Sequence, residues 1–119
     1  MFDTIIRNVR VIKDDAWHFV DLGIIDESFA EISPNITGNS RNEVDGDSAY
    51  CLPGSVDLHV HFNEPGRTHW EGFTTGSAAA SAAGISYLAE MPLNSIPSTT
   101  SVDALNTKLA AINNKSYVD

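Results

Sequence analysis

The chain has 119 residues, 42% hydrophobic and 19% charged, a composition typical of one globular domain and not of a disordered segment. Its net charge of −9, with only seven scattered Lys and Arg residues, argues against a nucleic-acid or anionic-membrane partner. A single cysteine, Cys51, excludes an intrachain disulfide, and no stretch has the roughly 20 apolar residues of a spanning helix, so we expect a cytoplasmic protein without a leader.

The first 52 residues are rich in β-branched side chains separated by turn residues, which favours short strands. The predicted strands cover 3–12, 17–25, 28–32 and, on either side of an Asp45-Gly46 turn, Val44 and 49–52. These strands predict a small antiparallel layer, part of a β-sandwich over residues 1–52. Within it, His18 is expected to be structural and Cys51 to be a buried strand thiol.

A distinctive stretch follows the Pro53-Gly54 turn. Apolar and polar residues alternate there, Val56, Leu58, Val60 and Phe62 with Asp57, His59 and His61. Alternation of period two predicts a strand with one apolar face and one face that carries a carboxylate and two imidazoles. Strand geometry places the two histidine Cα atoms roughly 6.5–7 Å apart, so both rings can reach one cation. On the pattern alone, a metal site and a solvent-exposed surface strand remain equal alternatives.

Helix and strand signals alternate over the rest of the chain. A capping-box pattern from Thr68 to Glu71 opens an alanine-rich helix over 69–83, which Gly84 is placed to end. A strand is predicted over 85–91 and a second helix over 101–114. Its apolar residues recur at helical spacing and predict one buried face, made of Val102, Leu105, Leu109 and Ile112. Ser101 or Thr100 is expected to cap this helix.

Residues 116–118 begin a third strand, so residues 53–119 read as strand–helix–strand–helix–strand. This order is typical of an α/β fold with parallel strands. A closed (β/α)8 barrel needs eight strands and about 250 residues. We therefore expect an incomplete TIM barrel, its first two βα units and the start of the third strand, at the amino terminus of a longer protein.

Three motifs carry a family resemblance. The segment Asp57–His61 after Pro53-Gly54 resembles the first barrel strand of the amidohydrolase superfamily. The strings from His61 to Phe73 (HFNEPGRTHWEGF) and from Met91 to Pro97 (MPLNSIP) are most similar to the allantoinases, within a group that includes dihydroorotases and hydantoinases. Dihydroorotases carry an arginine where this chain has Asn63, to hold a substrate carboxylate, and its absence fits a neutral substrate such as allantoin.

The resemblance implies a metal-dependent hydrolase that opens the hydantoin ring of allantoin to allantoate. His59 and His61 would bind one of two divalent ions, usually zinc, bridged by a carboxylated lysine. Lys108 and Lys115 match no such lysine, because they lie in the second predicted helix and its tail. Later ligands and a catalytic aspartate would lie beyond residue 119, so the fragment itself is expected to be inactive. Family members commonly assemble as homotetramers.

Other polar residues near these motifs have competing roles. Asn63 and Asn94 follow the first two barrel strands, on the face where barrel enzymes bind substrate, and their alternative is ordinary loop hydrogen bonding. Asp57 is expected either to orient a histidine ring or to pair with backbone. Glu64 and Arg67 are expected to pair with each other across their loop.

Several other functions remain possible. A dihydroorotase or a hydantoinase (dihydropyrimidinase) would share most of these motifs. A non-catalytic scaffold of the same superfamily is a further alternative, although such proteins tend to lose the metal histidines. A cupin-type metal dioxygenase also uses a His-x-His strand, but Glu64 follows His61 too soon and the alanine-rich helix does not suit an all-β barrel.

Overall fold

The computed structural model describes all 119 residues and divides into two compact units, Met1–Pro53 and Gly54–Asp119. The first unit contains β1 (Phe2–Lys13), β2 (Ala16–Ile25), β3 (Ser28–Ser33) and β4 (Ser40–Asp45). The second contains β5 (Ser55–Val60), α1 (Phe73–Ala82), β6 (Ile85–Glu90) and α2 (Val102–Ile112). The α/β class with a small β unit ahead of it is therefore confirmed.

The first unit is a four-stranded sheet with the order β3-β2-β1-β4. Antiparallel hairpins join β1 to β2 and β2 to β3. Each hairpin turns on two residues with positive φ, Asp14-Asp15 and Asp26-Glu27. Positive φ at both central positions is the geometry of the type I′ turn, whose twist matches that of the flanking strands. The first three predicted strands are confirmed.

The fourth strand differs from the prediction in both position and direction. It is β4, at Ser40–Asp45, and it pairs with β1 in parallel, so the layer is mixed and not purely antiparallel. Tyr50 forms only an isolated bridge to Arg10. The alternation signal is weak in β4, because five of its six residues are exposed and most are polar. Its backbone pairing with β1, and not burial, makes it a strand.

The first unit contains one cluster of buried hydrophobic residues, and Ile5 and Ile36 are buried outside that cluster. The buried members of the cluster are Val9, Val20 and Leu22, with Ile6, Val11 and Cys51 packed against them. Cys51 is thus half-buried beside the core, outside any strand. His18 is exposed.

A β-bulge between Ile6 and Val9 interrupts the pairing of β1 with β2. Asp21 lies opposite this bulge, and its carboxylate accepts hydrogen bonds from the backbone N–H of Asn8 at 3.0 Å and of Ile36 at 3.1 Å. The Arg7 guanidinium donates to the same carboxylate at 2.8 Å. Burial alone would raise the pKa of Asp21, but these hydrogen bonds outweigh it and hold the pKa below its usual value.

The second unit has a parallel pair of strands, β5 and β6, connected through α1, which packs on β6. This confirms the first predicted βα unit. Gly84 has φ of +80° just after α1 and supplies the left-handed residue that commonly follows a helix. Neither helix is long and apolar enough to cross a membrane.

Residues 116–118 are not a regular strand, but the chain runs beside β6 at its last residue. The backbone N–H of Asp119 donates to the Ser86 carbonyl at 3.3 Å, and the Leu88 N–H donates to the Asp119 carbonyl at 2.8 Å. A residue that bonds to positions i and i+2 of its neighbour follows the parallel-ladder pattern.

The capping box predicted at Thr68 and Glu71 is wrong. The helix begins later, at Phe73, with Gly72 as its N-cap and no side-chain cap from that residue. The Phe73 N–H instead donates to the Glu64 carboxylate at 3.0 Å, and Glu71 accepts from the Thr75 hydroxyl. Residues 68–70 form a turn, so the local signal was overridden by an acceptor from the preceding loop.

The predicted cap of α2 is confirmed and its predicted buried face is wrong. The Ser101 hydroxyl accepts from the Ala104 N–H at 3.2 Å. Val102, Leu105 and Leu109 are nevertheless exposed, and the buried residues of α2 are Ala104 and Lys108. The side of α2 that lies inward in this chain is the one that carries Ala104 and Lys108, and there Lys108 pairs with Glu90 of β6.

The apolar face of β5 is also open in this chain. Val56 is 59% and Leu58 is 68% exposed, whereas Phe62 just beyond the strand is buried. The Phe62 ring packs edge-on against Phe73 of α1, with ring centroids 4.7 Å apart. Burial in this unit is therefore concentrated beyond the carboxyl end of β5.

Candidate metal and substrate site

His59 and His61 lie at the carboxyl end of β5, and their rings meet. The Nε2 atoms are 3.1 Å apart and the ring centroids 5.1 Å apart, so both side chains leave the strand on the same side, as the alternation predicts. Both residues are exposed. The pair is therefore accessible and has its nitrogens converging on one point.

The spacing of these nitrogens fits a shared metal ion. Two imidazoles bound to a tetrahedral ion at about 2.0–2.1 Å have nitrogens about 3.3–3.4 Å apart, close to the 3.1 Å found here. A hydrogen bond between one protonated and one unprotonated Nε2 gives a similar distance. No group of three or more His, Cys, Asp or Glu side chains converges on a common point in this chain. Any ion held here needs further ligands.

Asp57 occupies the same face of β5 but does not contact either ring. Its Oδ1 accepts from the backbone N–H of His59 at 3.0 Å. Of the two roles expected for Asp57, the structure has the backbone one. This bond helps to fix the backbone at the residue that presents the first imidazole.

Asn63 lies in the loop that follows β5 and is buried. Its backbone N–H donates to the Glu71 carbonyl at 2.8 Å, and its carbonyl accepts from the Arg67 N–H at 2.8 Å. Asn94 lies in the loop after β6, is exposed, and has φ of +65°. Asparagine is among the residues that tolerate this left-handed conformation best.

The loops that carry these two asparagines contact each other. The Ile96 N–H donates to the Pro65 carbonyl at 2.8 Å. Gly66 has φ of +97°, and a Cβ at this position would lie 2.7 Å from the Ile96 Cβ. Glycine is required there on both counts. Folding thus places the Asn63 loop and the Asn94 loop side by side, next to the paired ends of β5 and β6.

Glu64 is the functional candidate that the sequence patterns missed. It is only 3% exposed, and its two oxygens reach different elements: Oε2 accepts from the Phe73 N–H, and Oε1 pairs with the Lys115 ammonium. The expected pairing of Glu64 with Arg67 is wrong, because the Arg67 guanidinium stacks over the Trp70 ring at 5.0 Å. Lys115 is 51 residues away along the chain, and no local motif points to it.

The two lysines of the second unit are both engaged in ion pairs. Lys108 meets Glu90 at 2.5 Å, with both side chains almost fully buried. Lys115 meets Glu64. The remaining oxygen of Glu90, Oε1, is buried without a hydrogen-bond partner in this chain. Neither lysine is placed at the end of a parallel strand beside the histidine pair.

Comparison with known proteins agrees with these motifs. No family model matches the sequence. The chain is 42% identical over 118 residues to an allantoinase from Rubrobacter xylanophilus and 40% identical over 118 residues to one from Bacillus velezensis. The chain is homologous to the allantoinases. In each comparison the matched region is 99% of this chain, so the homology includes both units and the His-x-His strand.

The structural neighbours are hydantoinases. The L-hydantoinase (dihydropyrimidinase) from Arthrobacter aurescens superposes with a TM-score of 0.86 at 30% sequence identity. The superposition covers 100% of this chain and 27% of the L-hydantoinase. A D-hydantoinase from Thermus sp. has a TM-score of 0.76 at 24% identity, and a similarity at this level of identity shows a shared fold alone. The chain spans about a quarter of the length of the curated allantoinases that it matches, 26% in both comparisons.

Proposed function

We propose that these 119 residues are the amino-terminal part of a metal-dependent cyclic amidohydrolase that opens the hydantoin ring of allantoin to allantoate, a step of purine catabolism. The observation that carries the proposal is the coincidence of two facts. The chain is 42% identical to an allantoinase along 118 residues, and within that region two histidine Nε2 atoms converge to 3.1 Å at the end of a parallel strand.

The proposed architecture is an incomplete TIM barrel. Residues 1–52 would be part of a β-sandwich, and residues 53–119 would supply the first two βα units and the start of the third strand. Two features support this. The Asp119 backbone bonds to β6 as a next parallel strand would, and Leu58 and Leu109 expose apolar surface that further elements of a barrel would cover.

His59 and His61 would hold one of two divalent ions, with zinc as the favoured metal. A carboxylated lysine and the remaining ligands would come from strands beyond this chain, since Lys108 and Lys115 are engaged with glutamates. When bound, such ions lower the pKa of a coordinated water toward neutrality and polarise an amide carbonyl. The contribution of this chain is to hold two imidazole nitrogens at ligand spacing on a rigid strand end.

Asn63 and Asn94 are the proposed substrate contacts. Their loops lie side by side at the carboxyl ends of β5 and β6, where barrel enzymes bind substrate. An amide suits the neutral ureido and carbonyl groups of allantoin, because it both donates and accepts hydrogen bonds. A dihydroorotate carboxylate would instead favour an arginine, and this chain has none at that position.

The metal assignment is tested by metal analysis of the full-length protein. The double variant His59→Asn/His61→Asn should lose at least one equivalent of bound zinc, because two of the ligands of one ion are removed. His69→Asn is the matched control, since His69 is exposed and stacks beside Trp70 outside the pair. A double variant that kept its full zinc content would contradict the assignment.

The substrate is tested by assaying the full-length protein with allantoin, dihydroorotate and hydantoin. Turnover of allantoin with the highest kcat/KM is expected. Preference for hydantoin would favour the second candidate, a hydantoinase, which the TM-score of 0.86 to L-hydantoinase supports. Preference for dihydroorotate would overturn the interpretation of Asn63. Absence of turnover with all three would favour a non-catalytic scaffold.

Three further properties complete the proposal. The 119-residue chain by itself would be inactive, because it offers two imidazoles and no complete ligand set. The full-length protein would be a cytoplasmic homotetramer acting on a small molecule. The single cysteine and the net charge of −9 of these 119 residues fit a reducing compartment and a partner that is neither nucleic acid nor membrane.

A further inference from the structure

We propose that Glu64 is the positioning residue of the site: its buried carboxylate fastens the loop that follows β5, and so places His61 and Asn63. This inference rests on the proposed function for its catalytic consequence. The residue itself touches neither the histidine pair nor any reacting group, so it acts through the loop that it anchors.

Glu64 lies in the loop that follows β5. It follows His61 by three residues and Asn63 by one, in a loop with few regular contacts of its own. That loop is closed by two backbone bonds, Asn63 N–H to the Glu71 carbonyl and Arg67 N–H to the Asn63 carbonyl, both at 2.8 Å. Neither of these backbone bonds reaches α1 itself, so a tie between this loop and the helix has to come from side chains.

The Glu64 carboxylate joins this loop to two other parts of the second unit. Oε2 accepts from the Phe73 N–H, the first residue of α1, where unpaired N–H groups attract a negative charge. Oε1 pairs with the Lys115 ammonium, just after α2. Because the carboxylate is only 3% exposed, the loss of either partner would leave a buried oxygen without a hydrogen bond.

The carboxylate also lies close to the backbone just before α1. A Cβ on Gly72 would lie 2.8 Å from Thr68 Cγ2 and 3.0 Å from Glu64 Oε2, so glycine at this position leaves the carboxylate the room that it occupies. Beside it, the Phe62 ring packs on Phe73 with centroids 4.7 Å apart. The residues on both sides of Asn63, Phe62 and Glu64, therefore both contact the first residue of α1.

The experiment compares Glu64→Ala and Glu64→Gln in the full-length protein, using hydrogen exchange of peptides across residues 61–67 and steady-state kinetics with allantoin. Glu64→Ala removes both contacts and should raise exchange in this loop at least tenfold, with a fall of ten- to a hundredfold in kcat/KM. Glu64→Gln keeps an oxygen for the Phe73 N–H and should rescue part of both effects.

The matched control is Asp21→Asn in the first unit. Asp21 is likewise a buried carboxylate that binds two backbone N–H groups and one cationic side chain, but it lies outside the candidate site. This variant should lower stability and leave exchange of residues 61–67 and the value of KM unchanged. A change of the same size in both variants would show that Glu64 acts only through overall stability and would overturn the proposal.

The two proposals fail separately. Loop exchange in Glu64→Ala equal to that of the wild type overturns the positioning role, whatever the substrate. If the wild type does not act on allantoin, the proposed function fails, and the exchange measurement still decides whether Glu64 holds the loop. Increased loop exchange with unaltered kcat/KM would also overturn the role, because the position of the loop would then not matter for the reaction.

Discussion

Asp21 shows how one residue can tie a sheet together. Its carboxylate satisfies the backbone N–H of Asn8 at a bulge and of Ile36 in the loop after β3, and it pairs with Arg7. The Arg7 guanidinium also donates a hydrogen bond to Glu43 of β4. The hydrogen bond to Glu43 has the largest effect on the pKa of Arg7 and that to Asp21 the next largest, and both raise it. Arg7 lowers the pKa of Glu43 in return, mainly through their hydrogen bond.

These depressed carboxyl pKa values predict an acid limit to stability. A group whose folded pKa is below its unfolded value stabilises the fold above the unfolded pKa, which is about 3.9 for Asp, and loses that contribution as the pH falls through the folded pKa. The protein should thus lose stability below about pH 4. In Asp21→Asn this loss should be smaller, and stability at pH 7 lower by about 1–3 kcal/mol.

The measurement is chemical unfolding of the full-length protein between pH 2 and pH 7, followed by a probe of the first unit. Asp14→Asn serves as the control, because Asp14 is an exposed turn residue outside this network and asparagine tolerates its positive φ. Parallel stability curves for Asp21→Asn and the wild type would contradict the predicted role of the carboxylate.

At the scale of the elements, α1 is shaped by what packs on it. Gly76 lies within the helix, where glycine normally costs about 1 kcal/mol relative to alanine. Here a Cβ on Gly76 would lie 2.1 Å from Cε1 of the Phe62 ring. The helix thus gives up intrinsic stability so that Phe62, next to His61, can lie against it.

Gly76→Ala should therefore destabilise the protein, by about 1–3 kcal/mol, although the substitution favours the helix in isolation. The reason is overpacking against an aromatic ring that is buried and contacts Phe73. Thermal unfolding of the full-length protein measures the change, with the exposed Thr74→Ala of the same helix as control. A stabilised Gly76→Ala variant would show that the ring moves aside freely.

The ion pair between Lys108 of α2 and Glu90 of β6 is buried and joins the inward side of α2 to that strand. Lys108→Met should cost about 3–5 kcal/mol, because it leaves a buried carboxylate without its cation. The double variant Glu90→Leu/Lys108→Met should cost clearly less, since an apolar pair removes both charges. Denaturant unfolding of the full-length variants tests this. A double variant less stable than Lys108→Met would contradict it.

At the scale of the whole molecule, much apolar surface is open in these 119 residues. Leu58, Val56 and Leu109 are each more than half exposed. Parallel strands are almost always covered on both faces, but the apolar side chains of β5 have no such cover in these 119 residues. The proposed barrel accounts for them, because its later strands and helices would cover both faces of the strand pair.

Leu58→Ala in the full-length protein should therefore behave as a core substitution. We expect a loss of about 2–5 kcal/mol, as for a buried leucine, although Leu58 is 68% exposed in this chain. Thermal or denaturant unfolding measures it, again with Thr74→Ala as the exposed control. A loss within about 0.5 kcal/mol, typical of surface positions, would mean that nothing covers β5 and would count against the barrel.

Residues close in sequence account for the predictions that the structure confirms. The first three strands, the Ser101 cap and the common side of His59 and His61 all depend on contacts within a few residues or between neighbouring strands. Turn chemistry, capping and strand alternation are local properties, and the order of strands and helices in the second unit follows from them.

The tertiary structure alone decided the rest. Parallel pairing of β4 with β1, the replacement of the predicted cap by Glu64, and the inward turn of Lys108 each join residues from different elements. Such contacts leave no periodic trace in the sequence, because their free energy depends on which groups folding brings together and shields from water. The histidine pair could be read from the chain; the carboxylate that anchors the loop beside it could not.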